Sequence, residues 1–234
     1  MSEVKLTPAQ RKNNLIKWNL RWKKEPHMLQ TKSASNFLQG KSPDVEMLEM
    51  GCGNLGNVEI KLGPMYHGVD ISIVAIKAAH RKNPKANFIV ADASFLPFRD
   101  NAFKKVISYS VIEFLGVEFR EAFKELVRVT SDEISFSTMH LDVVYKPKAD
   151  TGKEYIKLSY GTVHIGTGLV GTTPEQMMAM LKYAGIEIDF KIIDKNGKDA
   201  GIDAVEYLNG LDINQKKNIV LNARKSIIQE DQAV

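Results

Sequence analysis

One stretch constrains the fold of this chain more than any other: residues 45–56, which read Val-Glu-Met-Leu-Glu-Met-Gly-Cys-Gly-Asn-Leu-Gly. Its first half has the apolar side chains of a buried strand. Its second half is a glycine-rich turn, which residues 58–62 can continue as a helix. Gly51 and Gly53 leave room for a ligand against the backbone, and the amides and dipole of a following helix would face that ligand. The stretch therefore predicts a nucleotide-binding strand–turn–helix unit; the competing interpretation is an ordinary tight turn without a ligand.

The glycine spacing fits two kinds of site. Gly51, Gly53 and Gly56 satisfy G-x-G-x-x-G, the dinucleotide-binding pattern. Glu49, two residues before the first glycine, argues against a pyrophosphate there because two anions repel each other. A ligand that carries an ammonium or sulfonium cation can use that carboxylate. A nicotinamide-dependent oxidoreductase stays as the alternative, although the sequence has no Tyr-x-x-x-Lys pair for hydride transfer.

Two further predicted strands also end in a carboxylate. Residues 65–71 form the first of them and include Asp70, and residues 86–91 form the second and precede Asp92. Successive βαβ units return the chain to one sheet edge, where a carboxylate can accept hydrogen bonds from a ribose diol or an exocyclic amine. Asp70 or Ser72 has a competing use as the cap of the helix predicted at 73–82, and both uses hold if Ser72 caps and Asp70 binds.

These three motifs, in this order, resemble the first three motifs of class I S-adenosylmethionine (SAM) methyltransferases. The resemblance covers about residues 45–226 and implies a three-layer, Rossmann-like α/β sandwich. Its sheet would have seven strands, mostly parallel, with an antiparallel last strand. The cofactor would be SAM, and the product S-adenosylhomocysteine. By carry-over from the family, the cofactor-binding residues are Glu49, Gly51 and Gly53 for the amino-acid end, Asp70 and Ile71 for the ribose, Asp92 and Ala93 for the adenine, and Tyr109 beside the methyl group.

The sequence departs from the family pattern at several places. The third glycine comes one residue late, at Gly56, with Leu55 at its usual place. Lys104 stands where the family has an aspartate before the fourth strand, and Phe114 replaces a common histidine. These departures keep open a binding module that has the fold without catalysis.

The N-terminal extension, residues 1–44, differs in charge from the body, residues 45–234. It holds nine Lys and Arg against three acids, a net charge of +6, which leaves −2 for the body. Such a segment can contact an acidic partner or nucleic acid, or can simply be the solvated face of a helix. Thr7-Pro8 predicts the start of one or two helices within residues 8–40.

Aromatic residues give that extension a second interpretation. Leu15, Trp18 and Trp22 fall on one side at helical spacing. This pattern predicts either an amphipathic helix packed on the body or a lid over the cofactor.

The rest of the body follows the expected alternation of strands and helices. The predicted elements are a fourth strand from 106, a helix at 119–129, a fifth strand at 134–139 after a turn at 130–133, an insertion at 141–172 that faces the substrate, a helix from 173 to about 185, and strands at 186–193 and 217–227.

The acceptor of the methyl group is less constrained than the cofactor. An oxygen, nitrogen, sulfur or carbon atom of a small molecule is the expected nucleophile, and a protein or RNA substrate is not excluded. His140 is the one candidate proton acceptor; an ordinary surface or core histidine is the competing interpretation. The five histidines have no second ligand at metal-binding spacing, so no metal is expected.

Composition indicates a cytoplasmic setting. The single cysteine, Cys52, cannot form an intrachain disulfide, and the N-terminus has no apolar signal segment. No apolar run approaches the roughly 20 residues of a membrane span. Neither the oligomeric state nor the partner of the extension follows from the sequence.

Overall fold

A computed structural model describes residues 6–24, 38, 42–55, 61–138, 155–158, 161–164, 170–171, 176 and 219–224. The helices are α1 (Pro8–Lys24), α2 (Ile73–Lys82) and α3 (Phe119–Val129). The strands are β1 (Met47–Met50), β2 (Tyr66–Asp70), β3 (Asn87–Val90), β4 (Phe103–Ser108), β5 (Thr130–Thr138), β6 (Tyr155–Leu158), β7 (Gly161–His164), β8 (Val170–Gly171) and β9 (Ile219–Arg224). Short 3-10 turns, Ile112–Phe114 and Gly116–Glu118, precede α3.

The main sheet has the strand order β3-β2-β1-β4-β5-β9. The first five strands are parallel, and β9 runs antiparallel to β5, with Ser135 opposite Asn222. This confirms the predicted mostly parallel sheet with an antiparallel last strand. The predicted strand at 186–193 lies outside the described residues.

The central strands are buried on both faces, as parallel strands between helices must be. Alternate residues of β1 point to opposite faces, so Leu48 and Met50 join one core cluster while Met47 joins the other. The first cluster contains the apolar side of α3, including Phe119, Phe123 and Leu126.

The second cluster lies on the opposite face of the sheet. It contains Tyr66 from β2 together with Ile76 and Ala79 from α2. Helices on both faces give the three layers that the sequence predicts.

Two predicted strand boundaries were wrong. β4 begins at Phe103 and is followed by 3-10 turns, and β5 begins at Thr130, so residues 130–133 are strand rather than turn. Phe103 pairs directly with Thr130, and the Thr130 hydroxyl donates to Leu126 O (2.6 Å) at the end of α3. The chain thus passes from helix to strand without a connecting loop.

Residues 61–62, predicted as the end of a helix, are not helical; residues 56–60 lie outside the described part. The amide of Leu62 donates to the Asn83 side chain (2.8 Å), and the amide of Gly63 donates to Ser42 Oγ (2.9 Å). These side chains satisfy the amides in an extended connection that leads into β2.

The predicted insertion at 141–172 includes β6, β7 and β8, which form a separate antiparallel sheet in that order. Among the described helices, none is both long and apolar enough to cross a membrane.

Candidate functional site

The turn after β1 has a backbone that depends on glycine. Gly51 has φ +77° and Gly53 has φ +55°. A Cβ on Gly51 would lie 2.2 Å from Val111 Cγ2, so another residue here would have to displace the Val111 side chain. Leu55 also has a positive φ, +63°. It therefore takes a left-handed conformation at the position where the methyltransferase motif has its third glycine.

Asp70 joins the tip of β2 to this turn. Its Oδ2 accepts from the amide of Gly53 (3.0 Å), and its Oδ1 accepts from the amide of Ser72 (2.8 Å). Burial raises the pKa of Asp70 to about 6, against the lowering effect of these two amides. Ser72 Oγ accepts from the amide of Ala75 (3.3 Å) and caps α2. Ser72 is thus the helix cap, and Asp70 stays at the strand tip.

Asp92 occupies the corresponding place after β3. Its Oδ1 accepts from the amide of Ser94 (2.9 Å), and its Oδ2 accepts from Arg11 Nη1 of α1 (3.1 Å). The other guanidinium nitrogen of Arg11 lies 2.5 Å from the carboxylate of Glu118, and the guanidinium lies 4.6 Å from the ring centroid of Phe95. Arg11 therefore joins the N-terminal helix to two carboxylates at this edge.

The tips of β2 and β3 are also tied to each other. Asp70 and Val90 are paired in the parallel ladder, and the amide of Ala91 donates to Asp70 O (3.1 Å). Ile71 and Ala93, the predicted neighbours of the two carboxylates, are both half-buried directly after these tips.

Glu49 is buried one residue before the end of β1. Its carboxylate accepts a hydrogen bond from the Tyr66 hydroxyl on β2. Burial raises the pKa of Glu49 to about 7, the Tyr66 hydrogen bond acts in the opposite direction, and the charge of Asp70 raises the pKa further. Asp70 is thus close enough to Glu49 to influence its titration.

Tyr109 follows β4 and is buried. Its hydroxyl shares a hydrogen bond with Ser135 Oγ on β5 (2.6 Å). Burial raises the pKa of Tyr109 to about 12, so the side chain is neutral at ordinary pH. His140, the predicted proton acceptor, lies outside the described residues.

Helix α1 passes over the strand tips. The ring of Trp22 packs on Gly53, because a Cβ there would lie 2.6 Å from Trp22 Cζ2. Asn19 Oδ1 accepts from Ser72 Oγ (2.7 Å) at the start of α2, and Trp18 lies edge-on to Phe114 with ring centroids 6.1 Å apart. The helix therefore contacts the elements that follow β1, β2 and β4 and, through Arg11, β3.

The start of α1 matches its prediction. Thr7 Oγ1 accepts from the amide of Gln10 (3.3 Å), while the Gln10 side chain accepts from the amide of Thr7 (2.8 Å). This reciprocal pair is a capping box, and Pro8 takes the first helical position.

Sequence reasoning missed the side chains that connect α1 to the edge. It identified Trp18 and Trp22 by their spacing, but Arg11, Asn19 and Glu118 carried no signal because their partners are more than fifty residues away. Tyr66 carried no signal either, because an aromatic residue is ordinary in a strand. Within the described part of the chain, no group of three or more His, Cys, Asp or Glu could hold a metal ion.

Sequence comparison finds similarity to methyltransferases. Residues 48–133 match the family model described as a methyltransferase domain. A tRNA (carboxymethyluridine(34)-5-O)-methyltransferase of Arabidopsis thaliana is 33% identical over 111 residues, which are 44% of this chain and 27% of that protein. The chain thus spans about a quarter of the length of this curated relative.

Solved structures share the fold. A SAM-dependent methyltransferase of Methanosarcina mazei superposes with a TM-score of 0.50 at 19% identity, over 83% of this chain and 97% of that one. The [4+2]-cyclase SpnF superposes with a TM-score of 0.53 at 19% identity, over 83% and 80% of the two chains. At such identity the likeness concerns the fold, which a cyclase also has.

Proposed function

We propose that this chain, whose residues 48–133 match a methyltransferase domain and whose sheet is mostly parallel and Rossmann-like, transfers a methyl group from SAM to an acceptor. The observation that carries the proposal is the edge where Glu49, Asp70 and Asp92 lie within two residues of the ends of three neighbouring strands, beside the turn of Gly51 and Gly53. A cyclase with this fold shows that architecture alone does not decide the reaction, so the proposal depends on these residues.

The residues present suit this cofactor. Glu49 would receive the ammonium of the amino-acid end. Burial disfavours the charged form of this carboxylate, and a cationic ligand beside it would favour that form. Each oxygen of Asp70 accepts one backbone amide and keeps acceptor capacity for a ribose hydroxyl. Asp92 has the same capacity toward the adenine amine. Val111 and Trp22 fill the space that side chains at Gly51 and Gly53 would take, so the cofactor would lie along the other sides of this turn.

The sulfonium of bound SAM supplies a methyl group that is already activated. The work of this chain is then to hold the reacting atoms in line and to exclude water. Helix α1 suits the second task, because Trp22 and Arg11 place it over the strand tips. Tyr109 would border the methyl as a neutral side chain. His140 remains the candidate for removing a proton from the acceptor.

Two classes of methyl acceptor are considered, a small molecule and an RNA. An O, N, S or C nucleophile on a small molecule was the expectation from the sequence, with protein or RNA left open. The Arabidopsis relative is named for a tRNA substrate, and the cationic helices α1 and α2 beside the edge are the feature of this chain that favours RNA.

Calorimetry with S-adenosylhomocysteine and with NADH tests the proposal against the oxidoreductase alternative. We expect binding of the first and none of the second. Glu49→Gln and Asp70→Asn should each weaken binding by roughly tenfold or more, the usual effect of losing a charged hydrogen bond. Asp100→Asn is the matched control, because Asp100 is a largely exposed carboxylate paired with Arg128. Binding that survives both site substitutions unchanged would overturn the assignment.

Turnover separates an enzyme from a binding module. Incubation with labelled SAM and either a metabolite extract or an RNA extract should transfer label to one of them. His140→Ala should lower that turnover while leaving cofactor affinity intact. Cofactor binding without transfer to any extract would favour the non-catalytic alternative.

A further inference from the structure

Positive charge is segregated onto two helices of this protein. Helices α1 and α2 together contain nine Lys and Arg and no Asp or Glu. The rest of the chain holds the remaining 23 Lys and Arg against 28 Asp and Glu, a net charge of −5. The net charge of +4 therefore combines a strongly cationic helix pair with an acidic remainder of the chain.

The two cationic helices are neighbours. Asn19 of α1 accepts from the hydroxyl of Ser72 (2.7 Å) and from the amide of Val74 (3.4 Å) at the start of α2. Three of the nine cations are engaged with the rest of the protein: Arg11 and Arg21 are half-buried, and Lys82 Nζ donates to Asn54 O (3.0 Å). The other six are exposed and define what we term the basic surface: Lys12, Lys17, Lys23, Lys24, Lys77 and Arg81.

An ordinary solvated helix of this same protein looks different. In α3 each inner cation has an acid one turn earlier, with Lys124 Nζ 3.2 Å from Glu121 and Arg128 Nε 2.7 Å from Glu125. Such pairs stabilise an exposed helix and neutralise its field. Helices α1 and α2 have no acid of their own for this purpose, so their charges add instead of cancelling.

We propose that the basic surface binds the phosphate backbone of RNA and so delivers the methyl acceptor to the edge of the sheet. Lysines along a helix contact phosphates without reading sequence, so the surface would position an RNA rather than select one. The surface is well placed for this role, because α1 itself lies over the strand tips through Arg11 and Trp22. That RNA is the methyl acceptor rests on the proposed methyl transfer. That RNA binds the basic surface does not depend on methyl transfer.

A lipid surface fits the same charges less well. Helices that lie in a membrane interface turn their aromatic and aliphatic side toward the lipid. In α1 the aromatic side faces the protein, since Trp22 is buried and Trp18 packs on Phe114. The exposed large apolar side chains of α1 are Ile16 and Leu20, set among lysines. This face can meet phosphates, but it offers little to an acyl chain.

Fluorescence anisotropy with a labelled RNA stem–loop tests the proposal on the full chain. Lys12→Gln/Lys17→Gln should weaken RNA binding about tenfold at moderate salt, because each phosphate contact adds roughly 0.7 to 0.9 to the salt dependence. The slope of log affinity against log salt should fall by about 1.5 in the same variant. Arg99→Gln/Lys104→Gln is the matched control, since it removes the same charge from exposed positions that flank the start of β4.

The outcomes separate this inference from the proposed function. Equal losses in the two double variants would overturn the basic surface, and so would binding to phosphatidylserine vesicles without binding to RNA. S-adenosylhomocysteine affinity, measured on the same preparations, should be the same in both double variants and the wild type. RNA binding without cofactor binding would leave the surface standing and remove the methyl transfer; cofactor binding without RNA binding would do the reverse.

Discussion

The tips of β2 and β3 use the same local device but are held by different parts of the molecule. Each ends in Asp-x-Ser, and each aspartate Oδ1 accepts from the amide of the serine two residues on, at 2.8 Å for Asp70 and 2.9 Å for Asp92. The second oxygen differs. In Asp70 it accepts from the backbone of Gly53, and in Asp92 it accepts from the side chain of Arg11.

This difference divides the site into a fixed part and a docked part. The first tip is fastened by main-chain atoms of the turn after β1, which the sheet itself holds in place. The second is fastened by the long side chain of Arg11 on α1, which is 26% exposed. Two carboxylates that the sequence presents as equivalent therefore have unequal dependence on the N-terminal helix.

Asp70→Ala should have the largest effect on folding stability. It leaves the amides of Gly53 and Ser72 without their acceptor, at a cost of about 1–3 kcal/mol each. Asp92→Ala should cost clearly less, since it frees one amide and one partly exposed ion pair. Urea denaturation of the two variants checks the comparison, and equal losses would contradict it.

Glu49 should give the fixed part a dependence on pH. Its folded pKa, about 7, lies above the ordinary value of 4.5, so the folded state holds the proton more tightly than the unfolded state. The stability associated with this proton is complete below pH 4.5 and is lost as pH rises through 7. The loss would be about 3 kcal/mol for a shift of this size.

Melting temperatures from pH 4.5 to 8 test this dependence. Glu49→Gln should flatten the decline, and Tyr66→Phe should extend it to higher pH because the Tyr66 hydroxyl favours the charged form. Asp70 contributes in the same direction between its ordinary pKa of 3.8 and about 6, so the variant curve should keep a smaller slope there. A wild-type stability that does not fall between pH 4.5 and 7 would refute the assignment.

Gly53→Ala acts where the two parts meet. The substitution forces a side chain into a left-handed conformation and against the ring of Trp22, where its Cβ would lie 2.6 Å from Cζ2. We expect a loss of about 1–3 kcal/mol and a red shift of tryptophan fluorescence as the ring is displaced. Gly63→Ala is the control, because its Cβ would meet only Ser42 Oγ at 3.4 Å. An unshifted emission in Gly53→Ala would argue against the Trp22 contact.

Arg11→Ala should have the smallest effect on overall stability, about 1–2 kcal/mol. Its pair with Asp92 is partly exposed and worth little, whereas its loss also leaves the buried Glu118 without this cation. Its effect on α1 should be larger than its effect on the body, since Arg11 joins this helix to Asp92 and Glu118. Hydrogen exchange should therefore speed up in α1 while β1 and β2 keep their protection. Arg11→Lys should rescue this in part, because one ammonium cannot reach both carboxylates as a guanidinium does. Uniform changes along the chain would contradict a docked helix.

The parts of the fold that follow local patterns were predictable from the sequence. Ser72 capping α2, the bounds of α2 and α3, and the carboxylates at the tips of β2 and β3 all depend on residues a few positions apart. The start of β5 was not predictable, because Thr130 becomes strand through its pairing with Phe103 across the sheet. Local composition at 130–133 resembles a turn, and only the partner strand decides otherwise.

The candidate site was also only partly predictable from the sequence. Its carboxylates have a recognisable spacing, whereas the side chains that set their environment come from elsewhere. Tyr66 reaches Glu49 from the neighbouring strand, and Arg11 reaches Asp92 from a helix eighty-one residues earlier. Such contacts arise only in the tertiary structure, so the sequence around each carboxylate does not predict them.

Cys52 gives the molecule a built-in reporter of how often its glycine turn opens. It is the only thiol of the chain, it is buried, and its Sγ lies 2.8 Å from the place where a Cβ on Gly68 would be. Burial, followed by the charges of Asp70 and Glu49, raises the pKa of the Cys52 thiol and keeps it unreactive while the turn is closed. The rate at which a thiol reagent labels Cys52 in the unmodified protein therefore measures how often the glycine turn opens. A molecule that binds on the turn should lower that labelling rate.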